Sequence, residues 1–469
     1  MTVDLIEQLT QIVGEKGILL DEADMQGFVV EWRDKFIGKA RAVVLPKSTE
    51  EVAAVVKACA SSKSPLVPQG GNTSLVGGSI PFTKGDEIIL SLRRMHTIRE
   101  VDRLNGTMTV DAGCVLANLQ QAAEEVDCIF PLRIGSEGSC QIGGNISTNA
   151  GGVQVLHYGN TREQVLGLEV VLPDGQIWDG MTSLRKDNTG YDLKQLFIGA
   201  EGTLGIVTGA VVKMYPRPKY QQVALAAIPS VAAAVEFLNL ARTMSGDQVT
   251  AIEIIPRIAI DMVCRHVPNF ADPMPDKYDW QILVELSSSS TEDLSGLMET
   301  ILEAGFEQEI VIDAVIATSE AQQAHIWNLR EEISGAQKPE GGSIKHDISV
   351  PVSRFADFIR EADIAVRKIV PNFRSVAFGH IGDGNVHYNP MQPLDMDKEE
   401  YLGHWEEVSR VVHDIAVSMR GSISAEHGIG RLKSDDLVLY KPAIEIDLMH
   451  RIKKALDPDG IMNPGKLLK

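Results

Sequence analysis

Residues 142–152 read Ile-Gly-Gly-Asn-Ile-Ser-Thr-Asn-Ala-Gly-Gly, with four glycines among eleven residues. The surrounding segment 131–152 contains six glycines in 22 residues, whereas the whole chain contains 41 in 469. Glycines clustered with serine, threonine and asparagine let backbone N–H groups approach and surround a diphosphate. The alternative is a set of tight turns in a β-rich domain, and composition alone does not choose between the two.

Two further glycine-rich strings flank this segment along the chain. Pro68-Gln69-Gly70-Gly71-Asn72-Thr73-Ser74 precedes it, and Gly199-Ala200-Glu201-Gly202-Thr203-Leu204-Gly205-Ile206-Val207-Thr208 follows it. Neither Gly-x-Gly-x-x-Gly nor Gly-x-x-x-x-Gly-Lys-Ser/Thr occurs, so the two commonest nucleotide-binding loops do not explain these glycines. Taken in order across residues 40–215, the three strings resemble the FAD domain of flavoproteins of the vanillyl-alcohol oxidase type.

This resemblance implies that the first string and residues 135–152 wrap the FAD diphosphate, while residues 199–208 run along the adenine and the flavin. Members that bind flavin covalently often carry histidine after the first Gly-Gly pair, and Asn72 at that position implies non-covalent FAD. The implied cofactor contacts are Pro68, Gln69, Gly70, Gly71, Asn72, Thr73, Ser74, Gly135, Ser136, Gly138, Gly143, Gly144, Asn145, Thr148, Asn149, Gly151, Gly152, Glu201, Gly202, Gly205, Ile206, Val207 and Asn463.

Histidines and carboxylates cluster in the second half of the chain. Residues 379–389 read Gly-His-Ile-Gly-Asp-Gly-Asn-Val-His-Tyr-Asn, and residues 424–428 read Ser-Ala-Glu-His-Gly. If a turn at 382–385 closes a hairpin, His380 and His387 pair across its strands, with facing Cβ atoms roughly 4.5–5.5 Å apart. Two imidazoles and one carboxylate suit a divalent metal with an open position, and Glu426 is the natural carboxylate. The alternative is two buried core histidines beside a solvated glutamate.

The cysteines narrow the choice of metal ligands. Their number is five, no Cys-x-x-Cys occurs, and none follows Cys264. Neither a disulfide framework nor a cysteine zinc site is therefore indicated, and a metal site in the second half has to use histidine and carboxylate.

Two cationic side chains are candidates for anion recognition. Arg330 lies in a helical pattern, where an arginine is by default a surface ion-pair residue. Lys345 lies in a β-rich run between apolar neighbours, where a lysine either marks a sheet edge or faces a polar pocket.

Trp327-x-Leu329-Arg330, Lys345, the two histidine strings and Asn463-Pro464-Gly465-Lys466 together resemble the substrate domain of FAD-dependent D-2-hydroxy-acid dehydrogenases. The resemblance then covers nearly the whole chain. It implies that Arg330, Ser334, Lys345, Asn389 and His427 contact the substrate, and that His427 is the catalytic base. Close relatives often carry threonine where this chain has Ser334. The implied metal ligands are His380, His387 and Glu426, with Zn²⁺ or Mn²⁺ as the ion.

The expected reaction is oxidation of a D-2-hydroxy acid to its 2-oxo acid by hydroxyl deprotonation and hydride transfer to FAD. Two cations in the pocket favour a dicarboxylate such as 2-hydroxyglutarate, with D-lactate, glycolate or D-malate as alternatives. A hypothesis of another class is a metal-dependent hydrolase of a nucleotide-type substrate, and a third is a non-redox module that binds FAD or a nucleotide. No NAD loop is present, so we expect a protein carrier or a quinone to accept the electrons.

Composition and charge limit the partners. With 44 Lys+Arg against 64 Asp+Glu, the net charge is −20, which argues against broad nucleic-acid binding. The N-terminal residues 1–7 lack a cationic region followed by an apolar run, so we expect no signal peptide and a cytoplasmic protein. No transmembrane segment is expected, because Val223–Ala241 reads as a strand followed by a helix. A homodimer is possible, but the oligomeric state cannot be read from the sequence.

The fold expected is α+β, with an FAD-binding domain over 1–218, a substrate domain containing an antiparallel sheet over 219–425, and a segment over 426–469 that returns to the FAD domain. Pro216-Arg217-Pro218 is the predicted boundary. Helices are predicted over Ser48–Ser62, with Ser48 and Glu51 as a capping box, over Thr291–Ala304 and over Lys398–Arg420.

Overall fold

The computed structural model of this protein describes residues 4–290 and 293–469. Residues 1–3, part of the segment on which the signal-peptide prediction rests, lie outside the described residues. Thr291, where one predicted helix begins, also lies outside them. The later part of that predicted helix is present as Leu294–Glu307.

Within 4–290 and 293–469, the chain forms 18 β-strands, numbered β1 to β18 in chain order. They are Ile18–Leu19, Ala42–Val44, Leu66–Gln69, Ile88–Ser91, Ile98–Asp102, Thr107–Asp111, Cys128–Ile129, Val165–Val171, Ile177–Gly180, Ile206–Lys213, Tyr215–Pro216, Tyr220–Ile228, Val249–Pro256, Trp280–Ser288, Asp313–Ile316, His346–Ser349, Arg374–His380 and Asn385–Met391.

The same described residues form 17 α-helices, numbered α1 to α17 in chain order. They are Leu5–Val13, Glu22–Val29, Thr49–Ser62, Leu116–Glu124, Ile142–Thr148, Val155–Tyr158, Thr161–Gln164, Lys194–Phe197, Val231–Ser245, Arg257–His266, Leu294–Glu307, Glu320–Ala336, Phe355–Ile369, Lys398–Gly403, Trp405–Ser418, Ser434–Tyr440 and Ala443–Leu456. Short 3-10 turns cover Glu15–Gly17, Lys338–Glu340 and Val352–Arg354.

The chain divides into two compact units. The first unit comprises Met1–Gly152, Tyr158–Arg217 and Glu426–Lys469, and the second comprises Val153–His157 and Pro218–Ala425.

The first unit is built on two main sheets. Strands β1, β2, β4 and β3 form one sheet in that order, in which β4 pairs in parallel with β2 and with β3. Strands β5, β6, β10, β8 and β9 form an antiparallel sheet. Buried aliphatic side chains from both sheets and from α3, α4 and α5 form its main core.

The second unit is built on one antiparallel sheet of seven strands, in the order β15-β12-β14-β13-β17-β18-β16. Successive side chains of its strands enter different cores: Phe378 packs with α10 and α12, and Ala377 packs with α9, α11 and α13. Each face of the sheet is therefore covered by helices, and both cores are apolar. The predicted α+β class with an antiparallel sheet is confirmed.

Local sequence signals account for several helix boundaries. Ser48 Oγ accepts from the Glu51 N–H at 3.3 Å, as predicted, but the Glu51 carboxylate accepts from Lys47 N–H at 2.9 Å instead of closing the box on Ser48. The prediction of one helix over Lys398–Arg420 is wrong, because the chain forms α14 and α15 with a break at His404. Gly403 directly precedes the break, and glycine has low helix propensity.

Among the residues that the structure describes, no helix combines the length and the apolar character needed to cross a bilayer.

Candidate active site

The first glycine-rich string begins in the last two residues of β3 and continues into the loop that follows. Asn72 adopts a left-handed conformation with φ +56°, and its Nδ2 donates to the Val30 carbonyl at 2.9 Å. Its Oδ1 accepts from Ser79 Oγ at 3.0 Å. Asn72 therefore holds the loop in place through its own side chain, a structural role that asparagine supports because it tolerates positive φ.

Glycine is required where this loop and the second string meet other backbone. A Cβ on Gly71 would lie 2.2 Å from the Ser139 carbonyl oxygen, and one on Gly152 would lie 1.9 Å from that of Arg133. Gly70 and Gly144 also approach closely, with 3.6 Å between an ideal Gly70 Cβ and the Gly144 Cα. Residues 68–74 and 135–152 therefore lie against each other in the first unit.

The surface between these loops is suited to a polar ligand. Cβ atoms placed on Gly135, Gly138 and Gly144 would meet no atom of the described residues within 4 Å. Buried side-chain oxygens of Gln141 and Asn145 have no hydrogen-bond partner among the described residues. Open glycine faces beside unpartnered polar atoms fit a bound dinucleotide, because buried polar groups are ordinarily hydrogen-bonded.

Glu201, another predicted cofactor contact, binds the returning C-terminal segment. Its two carboxylate oxygens accept from the N–H groups of Ile429 and Gly430, both at 2.7 Å. Burial raises the pKa of Glu201, and these amide hydrogen bonds oppose that rise only in part. Asn463 Nδ2 donates to the Glu201 carbonyl at 2.8 Å and to Gly78 at 3.0 Å. The string 199–208 is thus joined to the end of the chain.

The remaining predicted cofactor residues lie on the same elements. Thr148 ends α5, where its hydroxyl donates to the Gly144 carbonyl, and Asn149 caps that helix at φ +49°. Ile206 and Val207 are buried at the start of β10. Direct contact of each of these side chains with FAD stays a prediction.

The histidine string forms the predicted hairpin, in β17 and β18. The predicted pairing of His380 with His387 is wrong, because Phe378 lies opposite His387 and the turn spans 381–384. The shift is an even number of residues, so both histidines still project from one face of the sheet. As diagonal neighbours they remain in contact, with ring centroids 5.4 Å apart. The Asn385 N–H bonds to Asp383 Oδ1, which makes Asp383 a turn-forming residue.

Arg330 lies over the same face of the sheet, on α12. It is 7% exposed, its guanidinium stacks on the Phe378 ring at 4.7 Å, and its Nε donates to Glu253 Oε2 at 2.6 Å. The default expectation of a surface ion pair is thus wrong, because the partner is a fully buried carboxylate on β13. Neither terminal nitrogen of Arg330 has a hydrogen-bond partner in the described part of the chain, so both can bind an added anion.

Glu253 also accepts a short hydrogen bond from His380 Nδ1, since Glu253 lies opposite His380 in the β13–β17 register. Burial alone would raise the pKa of Glu253, but the charge of Arg330 and the hydrogen bonds from Arg330 and His380 outweigh burial and lower it to about 2. Glu253 is therefore ionised, and a carboxylate bonded to a ring N–H is a usual outer partner of a metal-ligating histidine.

The three predicted metal ligands lie on two segments of the chain. His380 and His387 belong to the second unit, whereas Glu426 begins the last segment of the first unit, so their joint binding of a metal stays a prediction. Glu426 directly follows Ala425, whose N–H bonds to the Asp347 carbonyl at 3.2 Å. His427, the predicted catalytic base, follows Glu426 in the same segment, and its role also stays a prediction. Imidazole nitrogen and carboxylate oxygen are donors that Zn²⁺ and Mn²⁺ accept, so the residues fit a divalent cation.

The other predicted substrate residues have different environments. Asn389, on β18, is buried and donates to Gln337 Oε1 at 3.1 Å. Lys345 is half-buried and directly precedes β16, the edge strand of the sheet, which agrees with the edge alternative. Ser334 is exposed on α12, one turn after Arg330. Their contacts with substrate stay predictions.

Two acidic residues of this site were not predicted from the sequence. Glu253 is the one charged residue in Val249–Pro256, where every residue is buried, and that isolation is a signal that could have found it. Asp347 is buried on β16 and accepts from Asn385 Nδ2 at 2.9 Å.

Comparison with known proteins identifies this arrangement. Residues 40–180 match the family model "FAD binding domain", and residues 217–467 match "FAD linked oxidases, C-terminal domain". The chain is similar to D-2-hydroxyglutarate dehydrogenase, mitochondrial, of Rattus norvegicus, at 38% identity over 455 residues, which covers 96% of this chain and 82% of the relative. It is also similar to a putative D-lactate dehydrogenase, mitochondrial, of Schizosaccharomyces pombe, at 36% identity, which covers 98% of this chain and 89% of the relative.

The fold has a solved counterpart. The crystal structure of p-cresol methylhydroxylase with substrate bound superposes with a TM-score of 0.78 at 18% identity, covering 99% of this chain and 96% of that one. At this identity the likeness shows the fold alone, and it confirms the vanillyl-alcohol oxidase type.

Fold and family models thus define an FAD-dependent oxidoreductase of the FAD-linked oxidase class. Within that class, the chain belongs to the FAD-dependent D-2-hydroxy-acid dehydrogenase family. The hydrolase and non-redox hypotheses find no support. Both relatives are named mitochondrial, and the cytoplasmic compartment of this chain stays a prediction.

Proposed function

We propose that this enzyme oxidises D-2-hydroxyglutarate to 2-oxoglutarate, with FAD bound non-covalently. The observation that carries the choice of substrate is Arg330: a buried cation, fixed through Nε, whose two terminal nitrogens have no hydrogen-bond partner among the described residues. A guanidinium edge of this kind matches a carboxylate. The name of the rat relative supports the same substrate.

We infer that the chain's own residues divide the chemistry as follows. Arg330, together with Lys345, binds the distal carboxylate of the substrate. His380, His387 and Glu426 would hold a divalent cation, which when bound polarises the substrate's 2-hydroxyl. A ring nitrogen of His427 takes the hydroxyl proton, a task that suits neutral imidazole. Ser334 and Asn389 complete the polar surroundings of the substrate.

The first unit binds the redox cofactor. FAD, held by the loops 68–74 and 135–152, provides the acceptor for the hydride that leaves C2. Loss of this hydride and of the hydroxyl proton converts the alcohol to the ketone, so the two-electron oxidation balances. We propose that a protein carrier or a quinone reoxidises the flavin. A cytoplasmic location and a homodimer remain further proposals.

D-Lactate is the second candidate substrate, because a relative of nearly full coverage is named putative D-lactate dehydrogenase. The reacting end of the molecule is the same, but D-lactate has a methyl group where D-2-hydroxyglutarate carries its distal carboxylate. Only the dicarboxylate can use Arg330 fully. Truncating Arg330 therefore separates the two substrates.

The test is anaerobic reduction of the flavin. D-2-Hydroxyglutarate, D-lactate, D-malate and glycolate are added in turn to the purified yellow protein, and loss of the visible flavin absorption is followed. We expect D-2-hydroxyglutarate to reduce the flavin fastest, and Arg330→Met to slow that reduction by about 100-fold while leaving D-lactate within a few-fold. Faster reduction by D-lactate in the wild-type protein would overturn the proposed substrate.

A further inference from the structure

One buried carboxylate contacts two separate parts of the proposed active site. Glu253 Oε2 accepts from Arg330 Nε at 2.6 Å, and Glu253 Oε1 accepts from His380 Nδ1 in a short hydrogen bond. The Glu253 side chain is 0% exposed, and it lies on the central strand β13. The Glu253 side chain is therefore shielded from solvent, and the sheet fixes its position.

The chemistry of Arg330, Glu253 and His380 decides which nitrogen of His380 carries the hydrogen in the bond to Glu253. Arginine only donates, and an ionised carboxylate only accepts. His380 Nδ1 therefore carries the hydrogen that points at Glu253, and whenever the ring is neutral its lone pair lies on Nε2. That is the nitrogen through which His380 can ligate a cation.

We propose that Glu253 is a positioning residue that sets the tautomer of His380 and the direction of the Arg330 guanidinium at the same time. The inference rests on the proposed function, because it assigns Glu253 a role in metal binding by His380 and in substrate binding by Arg330. The Glu253 carboxylate thus fixes the position of His380 relative to Arg330.

The same sheet provides a matched control. Glu285 lies on β14, next to β13, and like Glu253 it is buried and faces α12. It accepts from Thr250 Oγ1 at 2.7 Å and from Trp327 Nε1 at 2.9 Å. Thr250 and Trp327 are neither proposed metal ligands nor proposed substrate contacts, so Glu285→Gln removes buried hydrogen bonds outside the proposed site.

The first experiment compares Glu253→Gln with Glu285→Gln in the FAD-loaded protein. A glutamine at 253 has one acceptor oxygen, which Arg330 Nε needs, so its NH₂ faces His380 Nδ1 and favours the tautomer with hydrogen on Nε2. We expect the affinity for Zn²⁺ and Mn²⁺, measured by competition with a chromogenic chelator and without turnover, to fall about 10–100-fold. The KM for D-2-hydroxyglutarate should also rise, whereas Glu285→Gln should keep the wild-type metal affinity.

The outcomes separate this inference from the function on which it rests. Wild-type protein that binds neither cation would overturn the proposed metal site and, with it, this inference. Wild-type metal affinity in a folded Glu253→Gln protein would overturn the inference alone. An equal loss in Glu285→Gln would also overturn it, because the effect would then follow from buried carboxylates in general.

A second measurement needs no Glu253 variant to fold. Ring ¹⁵N spectra of metal-free wild-type protein, with His380 assigned from the signal missing in His380→Asn, report which nitrogen carries the hydrogen. We expect the Nδ1–H tautomer for His380. An Nε2–H tautomer in the wild-type protein would overturn the proposal.

Discussion

Glu340 shows at the scale of one residue how this chain uses charge for structure. It ends the 3-10 turn Lys338–Glu340 and is joined to His266 Nε2 at 2.7 Å and Arg374 Nη1 at 2.6 Å, with Arg265 in a shorter contact. Burial acts to raise its pKa, but the hydrogen bonds from His266, Arg374 and Arg265 outweigh burial and lower the pKa to about 2. Glu340 thereby connects α10 with β17, the strand that carries His380.

This shift predicts a pH-dependent effect of Glu340→Gln. Because the folded-state pKa is depressed, the unfolded chain binds more protons between about 4.5 and about 2, so the stabilisation is present above that window and is lost as pH falls through it. At pH 7 we expect the variant to lose about 1–3 kcal/mol of unfolding free energy, and less at pH 3. Urea unfolding at both pH values measures the difference.

Glu303→Gln, at an exposed position on α11, is the control for this experiment and should change stability little at either pH. An equal loss at pH 3 and pH 7 in Glu340→Gln would contradict the explanation by ion pairs.

Single residues were predicted from sequence where they belong to a motif. His380, His387, Glu426 and His427 lie in strings with flanking glycines, and the structure brings the rings of His380 and His387 into contact. Glu253 lies in no such string. Its role follows from its place opposite His380 in the sheet, and the two residues are more than one hundred positions apart in the sequence. A pairing of this kind is a tertiary property, and one sequence does not reveal it.

At the scale of the element, the β17–β18 hairpin depends on a glycine in its turn. Gly384 has φ +83°, and a Cβ placed on it would lie 2.0 Å from the Val350 carbonyl oxygen. Gly246, which ends α9 at φ +61°, has no atom of the described residues within 4 Å of such a Cβ. The two glycines share the left-handed backbone, and only one of them has the close neighbour.

Gly384→Ala should therefore cost more than Gly246→Ala. We expect about 1–2 kcal/mol of destabilisation for Gly246→Ala from the backbone alone. The additional clash at Gly384 should add about 1–3 kcal/mol and displace the turn between the two histidines. Denaturant unfolding compares the variants, and a chelator titration should show weakened metal binding only in Gly384→Ala. Equal destabilisation would rule out the contact with Val350.

The hairpin also shows what element-level prediction can and cannot give. The turn residues predict that a hairpin forms, but they allow either of two centres one residue apart. Asp383 decides between them by accepting from the Asn385 N–H, which places Asn385 at the start of β18. The single helix predicted over Lys398–Arg420 is likewise wrong in its detail. The helical pattern of the sequence does not reveal the break at His404, which separates α14 from α15.

At the scale of the whole molecule, the net charge of −20 opposes a dianionic substrate at long range. Capture must therefore depend on short-range groups such as Arg330. The sequence predicts this contrast, because charge is a sum over residues. It does not predict that Arg330 is buried, since burial depends on how α12 packs on the sheet.

FAD should stabilise the protein as a reversible ligand. Binding at 100 times the dissociation constant adds about 2.7 kcal/mol, which corresponds to a rise in Tm of roughly 3–5 °C, because the entropy of unfolding scales with the number of residues. FAD-free protein, titrated with FAD in a calorimeter, should show this rise. Riboflavin, which lacks the diphosphate that loops 68–74 and 135–152 are proposed to bind, should give a much smaller rise. A shift of equal size with riboflavin would contradict the proposed diphosphate site.

The returning segment Glu426–Lys469 has a consequence for synthesis on the ribosome. Its Met462 pairs beside Leu66 of β3, and its Lys466 is buried against Glu87. About 200 residues of the second unit are translated before this segment appears. At roughly 5–20 residues per second, the nascent first unit waits on the order of 10–40 s without its last elements. During that interval the edge of β3 lacks its pairing with Met462, so this edge of the sheet is completed last.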